Sequence, residues 1–141
     1  MDKRSTKLPA VDTSLGYAAD ERGVGVAYAR IRSETGEHLL RVPFRVGRIS
    51  GLQQREAGYA ALTAVARALR RRGIGSAAFR LGDASLLADL AAHREVPPPI
   101  VLPYVRLRCA LNQLDEFRLE LAADDDLMQR ARAEVVLNVA A

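Results

Sequence analysis

The alternation of apolar and polar positions divides the chain into short strands and amphipathic helices. Leu8 to Ser14 is apolar, bounded by turn residues, and predicts a first strand that ends around Asp12. Pro9 would sit near its start, where a missing N–H is tolerated. Residues 1–7 read as a flexible basic arm and Leu15 to Arg22 as a loop. Gly23 to Arg32 predicts a second strand, Ser33-Glu34-Thr35-Gly36 a turn, and Glu37 to Val46 the returning strand. In the last, Leu40, Val42, Phe44 and Val46 fall at period two, and Pro43 argues for a place at the edge of a sheet.

From Glu56 to Arg72 the period changes. Ala61, Leu62, Val65 and Leu69 recur at helical spacing, and Arg70-Arg71-Arg72-Gly73 supplies a cationic last turn and a glycine stop. Ser76 to Leu81 predicts a short strand, and Gly82-Asp83-Ala84-Ser85 leads into a helix running to about His93. Pro97-Pro98-Pro99 predicts an extended linker, and Tyr104 to Leu114 a third helix. Phe117, Leu119 and Leu121 alternate with Arg118 and Glu120 as in a half-buried strand, and Asp124-Asp125-Asp126 opens a final helix through about Asn138. Three strands of a hairpin run followed by strand–helix units imply one α/β domain over 8–141, with a mixed sheet and helices on its faces.

Composition narrows the classes of function. At 141 residues with 49% hydrophobic content the chain can bury a core without staples. The net charge is +4, and all but Lys3 and Lys7 of the 21 cationic residues are Arg. Guanidinium suits bidentate phosphate contacts, so nucleic acid is a natural partner; a solvated basic surface accounts for the charge equally well. The single cysteine, Cys109, forbids an internal disulfide and reads as a buried structural thiol in a cytoplasmic protein. No membrane span and no secretory signal are expected. One Cys with His38 and His93 far apart makes no zinc site, and Gly23-Val24-Gly25 lacks the Lys-Ser/Thr of a phosphate loop.

The order of elements and four local patterns resemble type 1 ribonuclease H and its reverse-transcriptase-like relatives, over about residues 8–137. The patterns are Asp12-Thr13-Ser14, similar to the family's Asp-Gly-Ser; Gly23-Val24-Gly25-Val26 at the family's offset; Asp83-Ala84-Ser85 before an amphipathic helix; and Asp124-Asp125-Asp126-Leu127 opening the last helix. The resemblance implies a ribonuclease H-like mixed five-stranded sheet with helices on both faces. It also implies a carboxylate set, Asp12, Glu56, Asp83 and Asp125, holding Mg²⁺ or Mn²⁺ and serving as the catalytic residues. Hard cations prefer carboxylate oxygens, and two of them clamp the attacking and leaving oxygens of a phosphodiester displacement. Ser14, Gln53, Gln54 and Ser85 would contact nucleic acid. Asp83 fits a helix N-cap as readily as a metal ligand, and Asp124 to Asp126 fit capping and dipole charges.

Two departures stand out. The family's helical Glu maps either onto Glu56 or, in a closer match of Ala57-Gly58-Tyr59-Ala60-Ala61-Leu62, onto Gly58. Glu56 lies about 200° around a regular helix from Gly58 and reaches the site only if the helix begins near or after it. The loop histidine common in the family is absent, and His38 and His93 read as surface or cap residues. Two functions follow: a metal-dependent endonuclease acting on the RNA strand of RNA–DNA hybrids, or a catalytically impaired module of the same fold that binds nucleic acid or a protein partner.

Overall fold

The computed structural model describes residues 11–46, 53–92 and 95–140. The predicted basic arm, Pro9 and His93 lie outside them. The elements are β1 (Val11–Ala19), β2 (Val24–Ser33), β3 (Gly36–Arg45), α1 (Gln53–Arg71), β4 (Ser76–Leu81), α2 (Ala84–Ala92), α3 (Pro98–Asn112), β5 (Glu116–Leu121) and α4 (Asp125–Ala140). The strands form one sheet in the order β3-β2-β1-β4-β5. β1, β2 and β3 pair antiparallel, whereas β1–β4 and β4–β5 are parallel. α1 packs over β1, β2 and β3, and α4 packs against β1 and β2. The mixed five-stranded sheet with helices on both faces is as expected, and β3 with its Pro43 is an edge strand.

β1 departs from the expected first strand. It runs on to Ala19 through the segment read as a loop, and Asp12 is its second residue rather than its end. The cause is a period of two that continues past Ser14: Val11, Thr13 and Leu15 are buried, and Tyr17 follows on the same face. Pairing with β2 extends from Asp12↔Arg32 to Ala19↔Gly25. The turn that ends it is held by Asp20, whose Oδ1 accepts from the backbone N–H of Arg22 at 2.8 Å and of Val24 at 3.0 Å.

α1 buries Ala61, Leu62, Val65 and Leu69 as the spacing predicts, and it begins earlier than expected. Gly73 takes φ 83°, which lets the Ile74 N–H reach the carbonyl of Leu69 at 3.0 Å and closes the helix. The proline run differs from the expected linker. Pro97 is the N-cap of α3 and Pro98 begins the helix, because a first-turn residue needs no N–H and its φ is already helical. α3 buries Ile100, Leu107, Ala110 and Leu111, and Cys109, off that stripe, is exposed rather than buried.

α4 starts at a cap that is Asp124, whose Oδ1 accepts from the Leu127 N–H at 3.1 Å. Farther along, Glu134 accepts from the Tyr28 hydroxyl and pairs with Arg41, tying the helix to β2 and β3. Between these anchors the helix backbone lies directly on β1. A Cβ at Gly16 would stand 2.3 Å from the Leu127 carbonyl carbon and 2.3 Å from the Met128 nitrogen.

Two substitutions test this packing. Gly16→Ala must push α4 off the sheet, because both obstructing atoms are backbone; denaturant unfolding should show a loss of about 3 kcal/mol or more. Thr13, fully buried in β1, has a hydroxyl with no hydrogen-bond partner. Thr13→Val removes that orphaned group at nearly constant shape, and the same assay should show a gain of about 1 kcal/mol.

Candidate functional site

The parallel register of β1 and β4 decides which residues meet at the ends of the strands. Val11 lies beside Ala77 and Ser14 beside Arg80, so three residues farther on Tyr17 lies beside Asp83. The Tyr17 hydroxyl donates to Asp83 Oδ2 at 3.5 Å. Asp83 is also the N-cap of α2: its Oδ1 accepts from the Leu86 N–H at 3.0 Å and from the Ser85 hydroxyl at 3.3 Å. From α1, Gly58 faces the same pair; a Cβ there would stand 2.7 Å from Asp83 Oδ2 and 2.9 Å from the Tyr17 hydroxyl. Burial, and then the charge of Asp83, hold the Tyr17 hydroxyl above its ordinary pKa, so it stays protonated and remains a donor.

Tyr17 and Asp83 line a cleft of about 870 Å³ with Arg55, Ser85 and Arg132 on its walls. An adjoining recess of about 260 Å³ shares Tyr17, Gly82, Met128 and Arg132 and adds Asp125. Behind the cleft, buried Asp89 pairs with Arg55 and accepts from the Tyr59 hydroxyl at 2.7 Å, which fixes the first turns of α1 against α2.

The carboxylates proposed from the sequence are not gathered here. Asp12 lies beside Ala78, five residues before Asp83, which is about 16 Å along the strand. It also points to the other face, the one covered by α4. Its carboxylate stands 3.9 Å from Arg80, which is bonded to Glu120 at 3.0 Å, so Asp12 belongs to a surface ladder of alternating charges. Glu56 is buried at 4% exposure, but it lines a separate groove beside the end of β3. α1 begins at Gln53, before Glu56, so the helix geometry that turns Gly58 toward Asp83 turns Glu56 away. Asp83 borders the cleft and Asp125 the adjoining recess, and Ser85 bonds to Asp83. Ser14 faces α4 with Asp12, and the side chains of Gln53 and Gln54 lie outside the described residues.

Two divalent cations need several oxygen ligands from converging carboxylates. Among the described residues no three Asp, Glu, His or Cys side chains come together in that way. Of the groups that meet at the strand ends, Asp83 is an anion, Tyr17 a neutral hydroxyl and Gly58 has no side chain. The residues present do not fit a pair of Mg²⁺ or Mn²⁺ ions. Tyr17 is the site residue that the sequence pattern misses, although Val11, Thr13, Leu15 and Tyr17 are in phase. The likeness of Asp12-Thr13-Ser14 to a catalytic strand end sets Asp12 where Tyr17 stands, five residues out of register.

No protein-family model and no curated protein sequence gives a match to the chain. Solved structures do. The RNase H1 of the halophilic archaeon Halobacterium salinarum NRC-1 superposes with a TM-score of 0.69 at 19% identity, covering 91% of this chain and 98% of that one. The fold is ribonuclease H-like. The N-terminal RNase H domain of a Mycobacterium tuberculosis protein gives 0.64 at 15% identity, covering 92% and 99%. LC11-RNase H1, solved in complex with an RNA/DNA hybrid, gives 0.63 at 12% identity, covering 93% and 99%. Within this ribonuclease H-like frame, the strand position beside Asp83 carries Tyr17 and the facing helix position carries Gly58. The closer of the two sequence registers for the helical Glu, the one that reaches Gly58, is the one that faces the site.

If side chains alone keep cations out, restoring carboxylates should admit them. In thermal unfolding with millimolar Mn²⁺, the native chain should show no change in Tm. The Tyr17→Asp/Gly58→Glu double variant should be less stable without metal, from repulsion against Asp83, and should regain about 1–3 kcal/mol on saturation.

Proposed function

We propose that this chain is a nucleic-acid-binding module on the ribonuclease H-like fold that has lost the hydrolytic metal centre. The observation that carries this reading is the meeting of Tyr17, Gly58 and Asp83, where one carboxylate stands in place of a cluster. A two-metal displacement needs that cluster both to bind the cations and to hold them ~3.5–4 Å apart. The cleft retains the features that binding requires. It is open and carries the exposed Arg132 on its wall, on a chain of net charge +4. A ribonuclease H-like relative in structure takes an RNA/DNA hybrid, and that substrate class is the one we carry over to this cleft.

Tyr17 suits a binding role. Its hydroxyl gives its one proton to Asp83, and the oxygen keeps lone pairs that can accept from a 2′-hydroxyl of a bound strand. Endonuclease activity on the RNA strand, the other function that the sequence suggests, draws support from Asp83 in the cleft and Asp125 in the recess that adjoins it. It lacks ligands for the second cation.

A labelled RNA–DNA hybrid distinguishes the two. The module should bind it with an affinity that falls steeply with salt, and incubation with Mg²⁺ or Mn²⁺ should leave the RNA strand whole. Metal-dependent cutting that disappears in Asp83→Asn would overturn the proposal and restore the nuclease.

A further inference from the structure

A second basic surface lies outside the cleft. The end of β3, the outer side of α1 and the middle of α3 enclose a groove of about 310 Å³ that shares no lining residue with the cleft at Tyr17 and Asp83. Arg45, Arg67, Arg71 and Arg106 line it, with Phe44 and Thr63 among its buried wall residues.

These guanidiniums differ from the arginines that anchor the fold, which pair with carboxylates: Arg30 with Asp124, Arg41 with Glu134, Arg55 with Asp89 and Arg80 with Glu120. Arg45, Arg67, Arg71 and Arg106 are exposed and make no ion pair or hydrogen bond with another described residue. Among the described residues that line the groove, Glu56 is the one acid against four arginines. Like charges brought together on one concave surface repel, and an anionic ligand removes that cost. Arg67 and Arg71 are one helical turn apart on the same face of α1, about 6 Å along the axis, so they present two forks in a row.

We infer that this groove is a track for the phosphate backbone of a nucleic-acid strand, separate from the cleft. A free nucleotide is the less suitable occupant. Small ligands bury 70–90% of their surface, at the scale of ~300–1,000 Å³, in pockets that enclose them. Here the charges stand exposed along an open groove at the bottom of that range, which is how phosphodiester contacts that act by counterion release are arranged. The inference rests on the proposed binding function, because it extends the footprint of the same ligand.

The test measures the affinity of a fluorescent single strand and of an RNA–DNA hybrid across a salt series. For the single strand, Arg67→Ala/Arg71→Ala should reduce the slope of log K against log[salt] by about 1.4, at ~0.7 for each phosphate no longer neutralised. Arg67→Lys/Arg71→Lys should keep most of the slope. Arg32→Ala/Arg118→Ala, exposed arginines that do not line the groove, make the same change in net charge and should leave the slope near that of the native chain. An unchanged slope in the α1 double variant, with the native chain still binding, would overturn the groove and leave the cleft reading intact. Absence of salt-dependent binding by the native chain would overturn both. Saturable binding of ATP that is lost in the α1 double variant, with strand binding unaffected, would also overturn the strand assignment.

Discussion

The parallel register between β1 and β4 governs everything at the open end of this molecule. Once Val11 is set beside Ala77, the hydrogen-bond ladder leaves no choice about which β1 residue stands at the level of Asp83. That residue is Tyr17. The same register places Asp12 beside Ala78, deep along the strand, and on the face that α4 covers. A slip of one residue would exchange the two faces and bury Asp12 and Ser14 in the core, so the choice is held by the buried series Val11, Thr13, Leu15. Gly16, by admitting the α4 backbone to the other face, holds the same choice from the opposite side.

Most of the architecture is legible as periodicity. β2, β3, α1, β4, β5 and α4 follow from the local sequence, by spacing in β3, α1 and β5 and by the acidic run Asp124-Asp125-Asp126 in α4, and the edge position of β3 follows from Pro43. The start of α3 is hidden because Pro98 and Pro99 suggest an extended chain, and only the helix that follows shows that they form its first turn. The candidate site is less legible for a different reason. A short acidic motif such as Asp12-Thr13-Ser14 has no register of its own, and which strand residue faces Asp83 is decided by pairing across 66 residues of chain. Gly58 is readable as an anomaly, a glycine in a helix otherwise rich in Ala and Leu, but its meaning depends on what stands opposite.

Charge is divided between two uses. Carboxylates fix α4 to the sheet through Arg30 and Arg41, and α1 to α2 through Arg55, so those arginines serve the fold. Hydrogen bonding to Arg41 holds Glu134 below the ordinary carboxylate range, so this anchor is complete at neutral pH and is lost as the pH falls through that depressed value. The arginines of the β3–α1–α3 groove have no such partners and are available to a ligand. A basic chain need not be a uniformly basic surface; here the pairing pattern separates the cations that anchor the fold from those left exposed.

The two ends of the sheet have a bearing on how the molecule keeps to itself. Among the described residues, β3 and β5 each leave one side of their backbone without a neighbouring strand. Such borders can recruit strands from other chains and seed aggregation. On β3 the exposed Arg41 and Arg45 flank Pro43, whose ring offers no N–H, and on β5 Glu116, Arg118 and Glu120 alternate in sign. An incoming strand would meet charge on one border and an interrupted donor row on the other. The charge and the proline on its borders therefore oppose edge-to-edge growth of the sheet.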